Sequence, residues 1–199
     1  MRQNKVLGIT GKMGSGKSTI SSILAQNYGF KVIDVDKEYH VLLEENEELK
    51  KKLTDVFGKE ILVSGKIDRN KLRTLVTADR SRFEILNKIT HAFIFERVSY
   101  LVLEVLKGCH TVIDAALLFE IGLHKLCSVV WFVEAEEDVL VERIIKRNGW
   151  SEKEIKSFLE RQKILESYKN LANRVIVNNF DIEELKSVIR KYLKEDGLI

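Results

Sequence analysis

The sequence predicts an α/β fold: a five-stranded parallel sheet with helices on both faces, interrupted by a long helical insertion. Three observations carry this. Short apolar runs of strand length alternate with longer stretches of helical periodicity. A glycine-rich turn, Gly11 to Gly16, joins the first apolar run to the first helical stretch. Between residues 37 and 108 the strand pattern all but vanishes while apolar helical spacing persists, which marks an insertion rather than a linker.

The elements follow in order. Lys5 to Thr10, with Val6-Leu7-Gly8-Ile9 at its centre, reads as a buried strand. Ile20, Ile23, Leu24 and Tyr28 place a helix at 17–27, and Gly29 stops it. Lys31 to Asp34 is the second strand. The insertion carries helices at 38–57, 69–78 and 82–107, with a polar turn at Val63-Ser64-Gly65-Lys66. Thr111 to Asp114 is the third strand, and Val129 to Val133 the fourth and most apolar. Helices at 136–147 and 152–168 precede a fifth strand, Arg174 to Asn178, and a closing helix at 182–193. Right-handed crossovers put helices on both faces. A chain of 199 residues suits one such domain. Its core is expected at 1–36, 109–140 and 171–199.

Composition narrows the function. The chain is 45% apolar, enough for a sizeable core, and the charged excess lies on helix faces. The acidic stretch Glu44 to Glu48 and the run Lys50-Lys51-Lys52 read as solvated helix surface. A net charge of +3 makes no case for nucleic acid as a partner. Cys109 and Cys127 lack C-x-x-C spacing and are expected to be buried free thiols in a reducing compartment. No signal peptide is expected, and no apolar run has membrane-spanning length. The expectation is a soluble, cytoplasmic protein with no membrane partner. Nothing in the pattern sets an oligomeric state. Proline is absent altogether.

The segment Gly11-Lys12-Met13-Gly14-Ser15-Gly16-Lys17-Ser18 satisfies G-x-x-x-x-G-K-[ST] in full. Its glycines permit backbone angles that turn successive N–H groups inward, a concave nest for phosphate oxygens. The helix that follows adds its positive end. Lys17 reaches β- and γ-phosphates, and the Ser18 hydroxyl ligates Mg²⁺. Thr19 follows in the first helical turn and joins the nucleotide ligands. The motif sits between a strand and a helix, the context of the P-loop NTP hydrolase fold, so ATP and Mg²⁺ are the expected cofactors.

Carboxylates recur at strand ends, where ligands of open parallel sheets bind. Asp34 and Asp36 close the second strand. One can accept the proton of an attacking hydroxyl and another can hold Mg²⁺ through water. The competing reading of either is a helix N-cap. Asp114 ends the third strand, near metal or acceptor, or else as a cap. Leu117, Leu118 and Phe119 read as core, with one of them free to line an acceptor pocket. His91 lies on a helix, where a lone histidine is usually structural. Arg143 and Arg147, four apart, share one helix face and can cover a transferring phosphoryl group, or be exposed arginines. Gln162 is ambiguous by itself. Asn178 stands in a loop after the fifth strand that could meet an adenine edge or simply turn the chain.

Together these residues resemble the dephospho-coenzyme A kinase family. The resemblance runs from Val6 to about Asn179: the Gly14-Ser15-Gly16-Lys17-Ser18 core, Ile33-Asp34-Val35-Asp36, His91, Asp114 with Leu117-Leu118-Phe119-Glu120, Arg143 and Arg147, Gln162, and Ala172, Ile176 and Asn178. It implies transfer of the γ-phosphoryl group of ATP to the ribose 3′-hydroxyl of dephospho-coenzyme A. It implies Asp36, Lys17, Arg143 and Arg147 as catalytic residues, and Asp36, His91, Asp114, Leu117, Leu118, Glu120 and Gln162 on the acceptor. Asn178 falls on ATP; Asp34 and Asp114 would join Ser18 at Mg²⁺ through water. It further implies a helical substrate region at 37–108 and a lid at 141–170. The chain departs from the family where Lys12 replaces a frequent glycine, Ala92 and Ala116 replace prolines, and Asn173 replaces aspartate. Two alternatives remain: another small-molecule kinase of this fold, shikimate- or gluconate-kinase-like, or a nucleotide-dependent switch protein.

Overall fold

The computed structural model describes residues 5–77, 79–179 and 181–199. Residues 1–4 and Phe180 of the expected core, and residue 78 at the expected end of the second insertion helix, lie outside them. The chain divides into two compact units, residues 1–34 with 102–199, and residues 35–101.

The first unit holds the sheet. Its strands are β1 (Val6–Thr10), β2 (Lys31–Asp34), and, after the helical unit, three more that take the numbers β5 (Thr111–Asp114), β6 (Val129–Glu134) and β7 (Arg174–Val177). They pair in parallel in the order β2-β5-β1-β6-β7. The five-stranded parallel sheet is therefore as the alternating pattern predicts. The interior strand β5 is buried throughout, whereas the edge strand β2 exposes Lys31 and Val32. The helices α1 (Lys17–Tyr28) and α8 (Ile182–Glu195) pack one core against the sheet: Ile20, Ile23 and Leu24 with Leu185, Ile189 and Leu193, around Leu7, Ile9, Val112 and Trp131. The buried Trp131 indole would be costly without a partner. Its Nε1 donates to Asp196 Oδ2 at 2.8 Å, and Arg174 Nη2 and Nε bind the other oxygen of that carboxylate.

After β6 come α6 (Glu137–Asn148), α7 (Glu152–Arg161) and a 3₁₀ stretch, Gln162–Leu171. The sequence predicts one helix to residue 168. Instead the α-helix ends at Arg161. Leu140, Ile144, Ile155 and Leu159 form a small core for this segment, against which Met13, Val141 and Trp150 pack.

The second unit is helical: α2 (Val35–Glu45), α3 (Glu47–Phe57), α4 (Arg69–Thr77) and α5 (Arg80–Tyr100), with α2, α3 and α4 each packed on α5. The expected single helix at 38–57 breaks because Asn46 caps a new one, its side chain accepting from Leu49 N at 2.8 Å. The expected helix at 82–107 changes to a π-helical turn at Leu101–Val105. The expected polar turn at 63–66 is the tip of a hairpin between β3 (Leu62–Val63) and β4 (Lys66–Ile67). Its two central residues have positive φ, Ser64 at 49° and Gly65 at 77°, as tight hairpins require. Cys109 and Cys127 are free, but both are partly exposed rather than buried. What burial there is still pushes the Cys127 thiol up to about 12.

Candidate active site

The phosphate loop begins where β1 ends. Gly11, Gly14 and Gly16 take φ of 139°, 82° and 98°, a region that side chains rarely adopt. Gly16 directly precedes α1, so the loop's N–H groups and the helix N-terminus converge. Lys17 Nζ folds back over the loop and donates to Gly11 O at 2.8 Å and Lys12 O at 3.0 Å. The ammonium thus already sits on the loop that the sequence assigns to phosphate. Ser18 and Thr19 are exposed in the first turn of α1.

Behind the loop, parallel pairing sets Asp34 on β2 directly beside Asp114 on β5. Asp114 is buried, and Ser21 Oγ donates to its Oδ2 at 3.2 Å. Burial raises the Asp114 carboxyl above its ordinary value. Lys17 and hydrogen bonds from Ser18 and Ser21 oppose this, and the neighbouring Asp34 reinforces it. Ser21 is absent from the candidate list that the sequence yields. Its signal is a buried polar residue on the apolar stripe of α1, one turn after Lys17. The Ser18 hydroxyl and the two carboxylates make an all-oxygen donor set, which suits Mg²⁺. Among the described residues no three His, Cys, Asp or Glu side chains could hold a metal by themselves. A cation there would complete its shell with phosphate oxygens and water.

The segment from α6 to residue 171 reaches the loop at several points. Arg143 Nη1 approaches Gly14 O at 3.4 Å. Arg147 does not join it: the side chain is exposed and its Nε donates to Asn148 Oδ1 at 3.0 Å. Gln162 Oε1 accepts from Met13 N at 2.9 Å, which places this ambiguous residue on the nucleotide loop. Glu166, which sequence reasoning missed, pairs with Lys12. Only the fold brings these two together, 154 positions apart.

Two further assignments change. Asn178 is only 3% exposed and sits behind the loop, its Nδ2 donating to Ser15 O at 2.7 Å. It does not line an open adenine edge. Leu118 is fully buried, packed where a Cβ on Gly8 would touch it at 2.8 Å, and so belongs to the core. Leu117, beside it, is 41% exposed and free to meet a ligand. Phe119 stacks on Tyr168 with ring centroids 5.1 Å apart and meets His124 on a tilt at 4.9 Å. Burial raises the Glu120 carboxyl.

Asp36 and His91 belong to the helical unit. Helix α2 starts at Val35, so Asp36 lies inside its first turn, exposed, and is not the residue that caps it. His91 is half-buried on α5, and burial lowers its pKa. Near the two ends of this unit Arg97 Nε pairs with Glu38 at 2.9 Å.

A family model described as dephospho-CoA kinase matches residues 5–184. A protein named dephospho-CoA kinase from Dehalococcoides mccartyi is 37% identical over 96% of this chain and 97% of its own length. Among solved structures, a Thermus thermophilus protein aligns with a TM-score of 0.80 at 29% identity, covering 98% of each chain. The dephospho-CoA kinase from Campylobacter jejuni aligns with a TM-score of 0.72 at 26% identity, over 99% of this chain and 100% of that one.

Proposed function

This chain belongs to the dephospho-CoA kinase family, and on that premise we propose how its residues divide the transfer of the γ-phosphoryl group of ATP to the ribose 3′-hydroxyl of dephospho-coenzyme A. The observation that carries the reading is the glycine nest at the end of β1, with the Lys17 ammonium already on it and the Asp34–Asp114 pair beside it. The nest and the positive end of α1 bind the phosphates. Lys17 exchanges its two backbone carbonyls for β- and γ-phosphate oxygens. Ser18 would hold Mg²⁺, with Asp34 and Asp114 acting through water; the ion supplies charge neutralisation on the transferring group. Arg143 stands at the loop and meets that group first. Arg147 reaches it only if the segment at 141–170 closes as a lid, a motion typical of such enzymes.

The helical unit takes the acceptor. Asp36 orients the ribose hydroxyl and accepts its proton as the bond to phosphorus forms. His91 of the helical unit offers a largely neutral contact, and in the sheet unit Leu117 is an exposed apolar residue and Glu120 a carboxyl raised by burial. Nothing in the charge pattern asks for nucleic acid, and among the described residues no helix is long and apolar enough to cross a membrane. A small polyanionic acceptor fits a cytoplasmic enzyme. The alternative acceptors, shikimate or gluconate, are not favoured by the family match.

Asp36→Asn tests the base. The substitution removes the charge and the proton acceptor, and it costs the first turn of α2 only a favourable charge at its positive end, about 0.3–1 kcal/mol. The expected result is a fall in kcat of at least about 10²-fold, with ATP still bound and the melting temperature close to that of the parent. Retained turnover removes Asp36 from the catalytic residues.

A further inference from the structure

Asn178 has a role that neither the motif nor the adenine assignment describes. It follows β7, and its own backbone is fixed: its N–H donates to Glu134 O at 2.7 Å, extending the β6–β7 pairing by one bond. From there its side chain passes behind the phosphate loop, and Nδ2 donates to Ser15 O at 2.7 Å in a site with almost no solvent access. The approach is so close that a Cβ on Gly16 would lie 2.1 Å from Nδ2. The glycine before the loop lysine is therefore needed here for two reasons: its φ of 98°, and the space the Asn178 amide occupies.

The bond does more than fill space. Ser15 is fully buried, and its carbonyl accepts from the Asn178 amide. Anchoring that carbonyl fixes the peptide plane that links Ser15 to Gly16, and with it the direction of the Gly16 N–H. A nest binds phosphate only if its N–H groups already converge, because the reorganisation needed otherwise is subtracted from affinity.

We propose that Asn178 is a positioning residue for phosphoryl transfer: it locks the Ser15–Gly16 peptide of the phosphate loop in its anion-binding orientation and makes no contact with the nucleotide base. The proposal rests on the reading of residues 11–18 as the phosphate site. It predicts that the side chain matters as much for a bare polyphosphate as for ATP.

The test compares parent, Asn178→Asp and Asn178→Ala by calorimetric binding of ATP and of inorganic tripolyphosphate, each with Mg²⁺, beside thermal melting. The carboxylate is nearly isosteric but sets an oxygen against the Ser15 carbonyl. The expected result for Asn178→Asp is a loss of affinity of about tenfold or more, equal within a factor of two for ATP and tripolyphosphate. Affinity should recover as the pH is lowered and the introduced carboxyl gains a proton to donate. Asn178→Ala should show the same parallel loss without recovery, and it carries the test if the carboxylate variant does not fold. Loss for ATP alone would assign Asn178 to the base and overturn the proposal. So would a lowered melting temperature with both affinities unchanged, the mark of a merely structural residue. If the parent itself fails to bind tripolyphosphate while it binds ATP, the phosphate-site reading fails, and the proposal with it.

Discussion

Ser15 and Gly16 rest on the buried Asn178 amide, whereas Lys12 and Met13, three residues earlier in the same loop, are held by Glu166 and Gln162 from the 3₁₀ segment at 162–171. The first attachment is a neutral hydrogen bond in a dry site, where such bonds are strongest and a missing partner is most costly. The second includes an ion pair with side chains 19% and 57% exposed, a class worth about 0–1 kcal/mol. One half of the loop is built in; the other is latched from a 3₁₀ stretch that follows α6 and α7, which share a small apolar core of their own. The difference teaches where a phosphate site can afford to be loose. On the proposed reading the Ser15–Gly16 peptide is set by a buried bond, while Lys12 and Met13 are held by contacts that exchange more readily with solvent.

Three substitutions press on this contrast. The largest effect is expected for Lys17→Ala, which removes the charge both halves serve. Turnover should fall by at least about 10²-fold, with ATP binding also weakened, in steady-state kinetics. Near-native kcat and KM would mean that the loop is not the reacting site at all. Next comes Gly16→Ala. Strain at positive φ costs about 1–3 kcal/mol, and the added methyl also collides with the Asn178 amide. Melting temperature and ATP affinity should therefore drop together; a variant that melts and binds like the parent would show that the buried half is as adaptable as the exposed one.

The smallest effect belongs to Glu166→Gln. It should leave stability within about 1 kcal/mol and leave ATP affinity unchanged or slightly improved at low salt, since a carboxylate that competes for Lys12 is gone. Its pH dependence has a definite sign. The Lys12 hydrogen bond holds the Glu166 carboxyl below its ordinary value of 4.5. The pair's contribution is thus complete above that value and drains away as the pH falls through the lowered one. Melting curves of parent and variant should converge in acid. A tenfold loss of ATP affinity in the variant would erase the distinction between the two halves.

The sheet was readable because its strands are short apolar runs set against a charged background, and the phosphate loop because its chemistry lies within eight consecutive residues. What escaped depends on contacts between distant residues or on fewer residues than a period needs. Strands of two residues, as at 62–63 and 66–67, cannot display alternation. Asn46 reads as one more polar position until its side chain is seen on the Leu49 amide. Leu117 and Leu118 are the same residue type side by side, and only the packing against Gly8 tells core from surface. Asn178 and Ser15 are 163 positions apart, so a loop asparagine near an expected base site gave no hint that its amide is bonded to the phosphate loop. Asn173 is the milder case. Standing where the family usually has aspartate, it accepts through Oδ1 a hydrogen bond from Val130 N at 2.7 Å, which a carboxylate oxygen could equally accept.

The identity of the acceptor is the point on which the functional reading stands, and it can be measured directly. The protein, ATP and Mg²⁺ are incubated in turn with dephospho-coenzyme A, shikimate, gluconate and a nucleoside monophosphate, and products are followed by phosphorus NMR. The expected result is one ADP formed per dephospho-coenzyme A consumed, with a new phosphomonoester on the ribose 3′-oxygen, and slow ATP hydrolysis with each of the others. Comparable transfer to another acceptor, or ATP hydrolysis that no acceptor accelerates, would contradict it.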